Sequence, residues 1–298
     1  MKTRRQTLAA LLALPGLLSL PWAARAQSAA PLRVVASFSV LADMAKEVGG
    51  PAVDVTALVG ADADAHVFTP SPVHAQRLAQ AELVVVNGLG FEGWIERLIR
   101  ATGYRGPVVV ASQGIVPRMV AGQPDPHAWQ SLVHAQRYVE NIRAAVVLAR
   151  PAAAPAVNAR AAAYTRRLAD LDASIRSRLA AVPAQDRVVV TTHAAFGYLA
   201  DAYGLDFRAA QGLTSASQAS AADVARLVRQ LRSQRVRALF VENLGDPRMM
   251  MRIAQEAGAR LGGTLYSDAL SAPGTAADTY LKLMAHNAET LVAALKPV

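Results

Sequence analysis

Residues 155–183 read PAVNARAAAYTRRLADLDASIRSRLAAVP. Their apolar positions are Val157, Ala161, Tyr164, Leu168, Leu171, Ile175 and Leu179, with steps of three or four residues throughout. That spacing keeps one face of an α-helix apolar over the whole stretch. Alanine and arginine between these positions favour the helix, and prolines at 155 and 183 punctuate its ends. At about 1.5 Å per residue the helix is on the order of 40 Å long, enough to run along two small lobes side by side. The expectation is therefore a rigid connector, residues 155–182, between two halves of the chain.

Outward from this helix the pattern changes. Short β-branched runs occur at Arg33–Ser37, Val53–Val59, Leu83–Asn87 and Val108–Ala111 before it. Others follow it at Arg187–Thr191, Asp206–Ala209, Ala238–Val241 and Thr264–Tyr266. Helical patterns fill most of the gaps. Strands alternating with helices predict an α/β fold with mainly parallel sheets. Four strands on either side predict two lobes, residues 27–154 and 183–298, each with a four-stranded sheet flanked by helices.

Of the 298 residues 53% are hydrophobic, so a large core is available. There is no cysteine, which excludes disulfides, thiolate nucleophiles, iron–sulfur clusters and Cys-type zinc sites. Lys2, Arg4 and Arg5 precede a Leu/Ala-rich run, and Ala24-Arg25-Ala26 offers small residues for cleavage. Residues 1–26 are thus read as an export signal, of the Sec or twin-arginine type. Pro15, Gly16 and Pro21 argue against an uncleaved membrane anchor. The absence of cysteine argues against a lipid-modified N-terminus, so the expectation is a protein free in the periplasm. Without Lys2, Arg4, Arg5 and Arg25 the chain has 27 basic against 22 acidic residues. Arg226, Arg229, Arg232 and Arg235 are dispersed at helical spacing, a solvated face rather than a nucleic-acid site.

Four polar segments stand where a strand has just ended. His66 lies in Asp64-Ala65-His66-Val67-Phe68-Thr69-Pro70 and His127 in Asp125-Pro126-His127-Ala128-Trp129. His193 lies in Thr191-Thr192-His193-Ala194-Ala195-Phe196-Gly197-Tyr198 and Asp268 in Tyr266-Ser267-Asp268-Ala269-Leu270-Ser271. Ligands of open α/β sheets bind at the carboxyl ends of strands, and each half supplies two of these groups. Three imidazoles and a carboxylate make a complete tetrahedral set for a borderline divalent cation. Taken singly, a histidine in a loop is more often a surface or capping residue than a ligand. His74, His134 and His286 fall within helical patterns and are assigned helix-surface or core roles. Glu242, ending a strand, is the most credible substitute ligand or partner of a ligand. Met249-Met250-Met251 does not suggest copper, because adjacent helical side chains diverge by about 100°.

These segments, together with Asn87-Gly88-Leu89-Gly90-Phe91-Glu92, Ser220-Ala221-Ala222-Asp223 and Phe240-Val241-Glu242-Asn243, resemble the zinc- and manganese-specific substrate-binding proteins of ABC transporters. The motifs match in order and spacing over nearly all of the chain beyond the signal. The resemblance implies two α/β lobes, a rigid linking helix and one metal buried between the lobes. It also implies that His66, His127, His193 and Asp268 are the ligands and that the partners are a membrane permease and its ATPase. The chain departs from the pattern in places. Ser131-Leu132 replaces a frequent Asp-Pro, and Val116–Gln123 lacks the His- and Asp-rich loop of some zinc-specific relatives. Manganese-specific relatives often carry Glu in place of His193, which favours Zn2+ over Mn2+ here.

The leading expectation is a monomeric binding protein without catalysis, because four protein ligands leave no position for an activated water. A secreted zinc-dependent hydrolase, with three His ligands and Asp268 or Glu242 as base, is the alternative from another class. Neither H-E-x-x-H nor G-x-S-x-G is present to support it. A metal-dependent adhesin or metal buffer would share the same fold and site.

Overall fold

Valine runs that alternate with amphipathic helices do build two parallel sheets in the computed structural model, which describes residues 30–216, 220–234, 236 and 238–296. The first half contains β1 (Leu32–Phe38), α1 (Ser39–Gly49), β2 (Val53–Val59), α2 (Pro72–Ala79), β3 (Leu83–Val86), α3 (Ile95–Thr102) and β4 (Val108–Val110). A small antiparallel hairpin follows, β5 (Met119–Val120) with β6 (Gln123–Pro124), and then α4 (Leu132–Ala149). The long helix α5 (Ala154–Ala180) leads to the second half. There β7 (Val188–Thr191), α6 (Gly197–Tyr203), β8 (Asp206–Ala209), α7 (Ala221–Gln234), β9 (Ala238–Glu242), α8 (Arg248–Ala257), β10 (Arg260–Leu265) and α9 (Tyr280–Leu295) follow in turn. Among the described residues no helix is long and apolar enough to cross a membrane. The segment read as an export signal lies outside the described residues.

The sheets have orders β2-β1-β3-β4 and β10-β9-β7-β8, and all their strand pairs are parallel. Read from its own first strand, each sheet has the same topology. The chain starts near the centre, steps to one side and then crosses back to the other. Such a reversal leaves a crevice at the carboxyl ends of the two central strands, here β1 with β3 and β7 with β9. All four residues of β3 are buried, as expected for a strand covered by helices on both faces.

Helix α5 buries Val157, Ala161, Tyr164, Leu168, Ile175 and Leu179, with Leu171 half-buried. This is the apolar face read from the sequence. Pro155 sits in its first turn, where a missing N–H costs nothing. The helix packs on α1 and α4 of the first half and on α6 and α9 of the second. One continuous apolar core runs from Leu32 and Val85 through Leu168 to Phe240, Leu265 and Leu291. A smaller core, with Val190, Leu231, Leu239, Met250 and Ile253, lies under α7 and α8.

Two local features were not legible in advance. The strand expected at Thr264–Tyr266 begins earlier, at Arg260, and its register shifts between Leu261 and Gly263. Gly262 and Gly263 read as strand breakers, yet the packing requires them. A Cβ on Gly262 would lie 2.6 Å from the Phe240 ring, and Gly263 has φ +129°. The hairpin β5–β6 leaves no mark in the sequence because two-residue strands carry no periodicity.

Asp43 on α1 ties the halves together. It accepts the backbone N–H of Tyr280 at 2.8 Å, at the first turn of α9. Burial pushes its carboxyl up from 3.8 to about 6, against the lowering effect of that hydrogen bond. The folded state therefore holds this proton more tightly than the unfolded state does. Its contribution to stability is full below about pH 4 and is lost as pH rises through about 6. Asp43→Asn keeps an acceptor without the charge. We expect it to stabilise the metal-free protein at pH 7.5 by about 1–3 kcal/mol and to leave stability at pH 4 nearly unchanged. Urea unfolding at the two pH values checks this, and equal effects at both would refute it.

Candidate metal centre

His66 lies on the loop after β2, and His127 follows β6. His193 comes directly after β7, and Asp268 follows β10. The fold brings all four together, with one ligand-type atom of each within 4.8 Å of the others. His66 Nε2 lies 3.3 Å from His127 Nε2 and 3.4 Å from Asp268 Oδ2. His193 Nε2 lies 3.0 Å from Asp268 Oδ2, and His127 Nε2 lies 3.6 Å from Asp268 Oδ1. A tetrahedral zinc site with bonds near 2.0–2.1 Å has ligand atoms about 3.3 Å apart. The four side chains are at most 3% exposed.

Two imidazoles are held from behind. Asp125 Oδ1 lies 2.8 Å from His127 Nδ1 and accepts the backbone N–H of His127 at 3.0 Å. Glu242 Oε2 lies 2.6 Å from His193 Nδ1, while Oε1 accepts the His193 backbone N–H at 2.8 Å. A carboxylate on Nδ1 keeps the proton there and leaves the Nε2 lone pair free to face the centre. Glu242 is thus a partner of His193 and stands outside the converging set. Asp125 has the same role for His127, which the sequence reading did not assign. The signal was present, since an Asp two residues before a His can turn back onto that residue's N–H.

Burial disfavours charge on His193, but Glu242 and Asp268 outweigh it and hold the imidazole well above its ordinary pKa. Burial also opposes charge on Asp268, yet His193 and His127 hold its carboxyl well below the usual range. Neither oxygen of Asp268 has a well-formed hydrogen bond, and His193 Nε2 has none either. Buried polar atoms are rarely left so. A cation among these atoms would satisfy them together.

The walls are apolar and cross between the halves. The Phe91 ring packs edge-on against His66 and His127. Glu92 holds the Phe91 turn by accepting from Ser37 Oγ at 2.5 Å and from the Asn87 N–H at 2.6 Å. Trp129 Nε1 and Gln130 Nε2 both donate to the Ser267 carbonyl, at 3.0 and 2.7 Å. These bonds fix the backbone beside Asp268 from the loop that carries His127.

The other histidines have structural roles. His74 forms a capping box with Ser71 at the start of α2. His134 packs edge-on against Tyr198, and His286 Nε2 lies 3.1 Å from the Thr264 carbonyl oxygen. Met250 is buried while Met251 is 52% exposed, so the three methionines do not converge. Arg226, Arg229 and Arg232 are exposed on α7; Arg235 lies outside the described residues.

A family model described as "ZnuA: Zinc-uptake complex component A periplasmic" matches residues 34–294. The chain belongs to the ZnuA family. Proteins similar to it are named for different metals. The chain is 31% identical over 265 residues to "Manganese-binding lipoprotein MntA" of Halalkalibacterium halodurans, covering 89% of this chain and 88% of MntA. It is 30% identical over 269 residues to "Iron-binding protein YfeA" of Yersinia pestis, covering 89% and 86%. Among solved structures, the periplasmic zinc-binding protein TroA of Treponema pallidum superposes with a TM-score of 0.87 at 29% identity, covering 90% of this chain and all of TroA. The ZnuA-family fold and the two-sheet architecture read from the sequence thus agree.

One expectation is corrected. The absence of cysteine led to a protein without a lipid anchor, but MntA is named a lipoprotein, and so are other relatives. Lack of a thiol removes one attachment chemistry only and does not establish a freely diffusing form. A location outside the cytoplasm is consistent with the comparisons.

Proposed function

We propose that this ZnuA-family chain captures one divalent transition metal outside the cytoplasm and passes it to an ABC importer, with His66, His127, His193 and Asp268 as ligands. It is a member of a family of transport substrate-binding proteins, not of enzymes. The observation that carries the ligand assignment is Asp268, a fully buried carboxylate with both oxygens unsatisfied and three imidazole Nε2 atoms turned toward it. The imidazoles supply neutral donors of borderline softness, and Asp268 supplies the single negative charge. Asp125 and Glu242 hold two rings in the ligating orientation before the ion arrives. The partners in this reading are the metal ion, the permease and its ATPase, with the binding protein acting as a monomer. The division into an export signal at 1–26, lobes at 27–154 and 183–298 and a linker at 155–182 belongs to the same proposal.

Zinc is the favoured ion because imidazole donors suit it, whereas manganese favours oxygen donors and higher coordination. A second reading, manganese or iron, rests on one feature. Both Asp268 oxygens approach imidazoles, at 3.4 and 3.0 Å for Oδ2 and 3.6 Å for Oδ1, so the carboxylate is placed to add a fifth donor atom. Competition titration of the metal-free protein with zinc and manganese decides between them. We expect one ion per chain and tighter binding of zinc. Tighter binding of manganese would reverse the preference, and no stoichiometric binding of either would remove the site.

A further inference from the structure

Asp125 is fully buried, and its carboxylate is only half used. Oδ1 serves His127, while Oδ2 has no hydrogen-bond partner. The nearest counter-charge is Arg118, with Nη1 at 3.7 Å from Oδ2. Arg118 stands just before the β5–β6 hairpin, and its backbone carbonyl accepts the Asp125 N–H at 2.7 Å. Its side chain reaches across to the second half, where Nε donates to Asp201 Oδ2 on α6 at 3.1 Å. Tyr198 Oη, also on α6, accepts the Arg118 N–H at 2.9 Å and donates to the Asp125 carbonyl at 3.0 Å.

A second observation comes from the start of α6. A Cβ on Gly197 would lie 2.7 Å from both Arg118 Nη1 and Asp125 Oδ2. The Gly197 backbone is not left-handed, so a positive φ is not what calls for glycine here. Room for the arginine–carboxylate approach is therefore what this position requires. The Arg118 side chain is 35% exposed and borders a cavity of about 300 Å³ that Asp201 and Arg208 also line. Shortening it opens no void in the core.

We infer that Arg118, anchored by Asp201 and admitted by Gly197, is a positioning residue that fixes the Asp125–His127 pair and so couples the grip of His127 on the ion to the seating of α6. The inference rests on the ligand assignment proposed above. A buried carboxylate that must orient an imidazole needs a fixed neighbour for its second oxygen, and here that neighbour belongs to the interface of the halves. When α6 moves away, Arg118 follows Asp201 and Asp125 loses its counter-charge. The His127 ring is then freed.

The test is a double-mutant cycle on zinc affinity, with metal-free proteins of unchanged circular dichroism. Arg118→Met keeps the apolar stem and should weaken binding about three- to tenfold, less than the roughly 10- to 100-fold typical of a direct partner of a ligand. Arg118→Lys should restore most of the loss, and Gly197→Ala should reproduce it by wedging the pair apart. In an Asp125→Asn background, Arg118→Met should have no further effect, because there is no charge left to hold. Full affinity in Arg118→Met, or an undiminished loss in the Asp125→Asn background, overturns the inference. His127→Ala is measured in parallel. If it binds zinc as tightly as the unaltered protein, the ligand assignment fails and the inference falls with it. If it loses binding while Arg118→Met does not, only the role of Arg118 is refuted.

Discussion

Replacing Asp268 with alanine is expected to lower zinc affinity by well over a hundredfold. Loss of a residue that merely orients a ligand costs about 10- to 100-fold, and Asp268 is the one anionic group at the centre of the site. Its removal leaves three buried imidazoles facing the ion with no anionic ligand, and the nearest carboxylates, Asp125 and Glu242, stand behind the rings. Asp125→Asn and Glu242→Gln should fall within the range for orienting residues, because each weakens the hold on an Nδ1 atom while keeping the imidazole. His74→Ala and His286→Ala should bind normally, since the first side chain caps α2 and the second faces the Thr264 carbonyl. Competition with a chromophoric chelator ranks the five proteins. An Asp268→Ala protein within tenfold of the unaltered affinity would show that this carboxylate is not a ligand.

Zinc should also stabilise the fold by a large and pH-dependent amount. At a free ion concentration a thousand times the dissociation constant, binding to the folded state alone adds about 4 kcal/mol. For a chain of 298 residues this raises the melting temperature by roughly 5–8 °C, and a chelator should reverse it. Imidazoles must be neutral to ligate and have ordinary pKa values near 6.5. Glu242 and Asp268 together outweigh the effect of burial and hold the His193 proton more tightly still. Protons therefore compete increasingly with the ion as pH falls. At a fixed zinc concentration the shift should be large at pH 7.5 and mostly gone at pH 5. Differential scanning fluorimetry at the two pH values measures it. An equal shift at both would rule out a site built on three histidines.

Much of the architecture was legible because it is written in short-range patterns. The face from Val157 to Leu179 repeats at helical spacing, and that face is buried on α5. The valine runs of β1, β3, β4 and β7 mark strands of parallel sheets, although the run does not say which strand is central, since β4 lies at a sheet edge. The loops carrying His66, His127, His193 and Asp268 could be located because each follows a strand. The β5–β6 hairpin and the start of β10 were hidden for opposite reasons. The hairpin strands are too short to carry a period, and Gly262-Gly263 looks like a break until Phe240 is seen to need the space.

By itself, the sequence determined the element types, the parallel α/β class, the exclusion of thiolate chemistry and the side chains able to hold a borderline cation. Tertiary structure alone decided that the Nε2 atoms of His66, His127 and His193 face one carboxylate at 3.0–3.6 Å. It also decided that Glu242 stands behind His193 and that Arg118 reaches Asp201 across the halves. Periodicity is a property of residues three or four apart, whereas these groups meet across tens to more than a hundred residues. Their separation and the ring nitrogen each presents depend on how whole helices and sheets pack, and no local pattern encodes that.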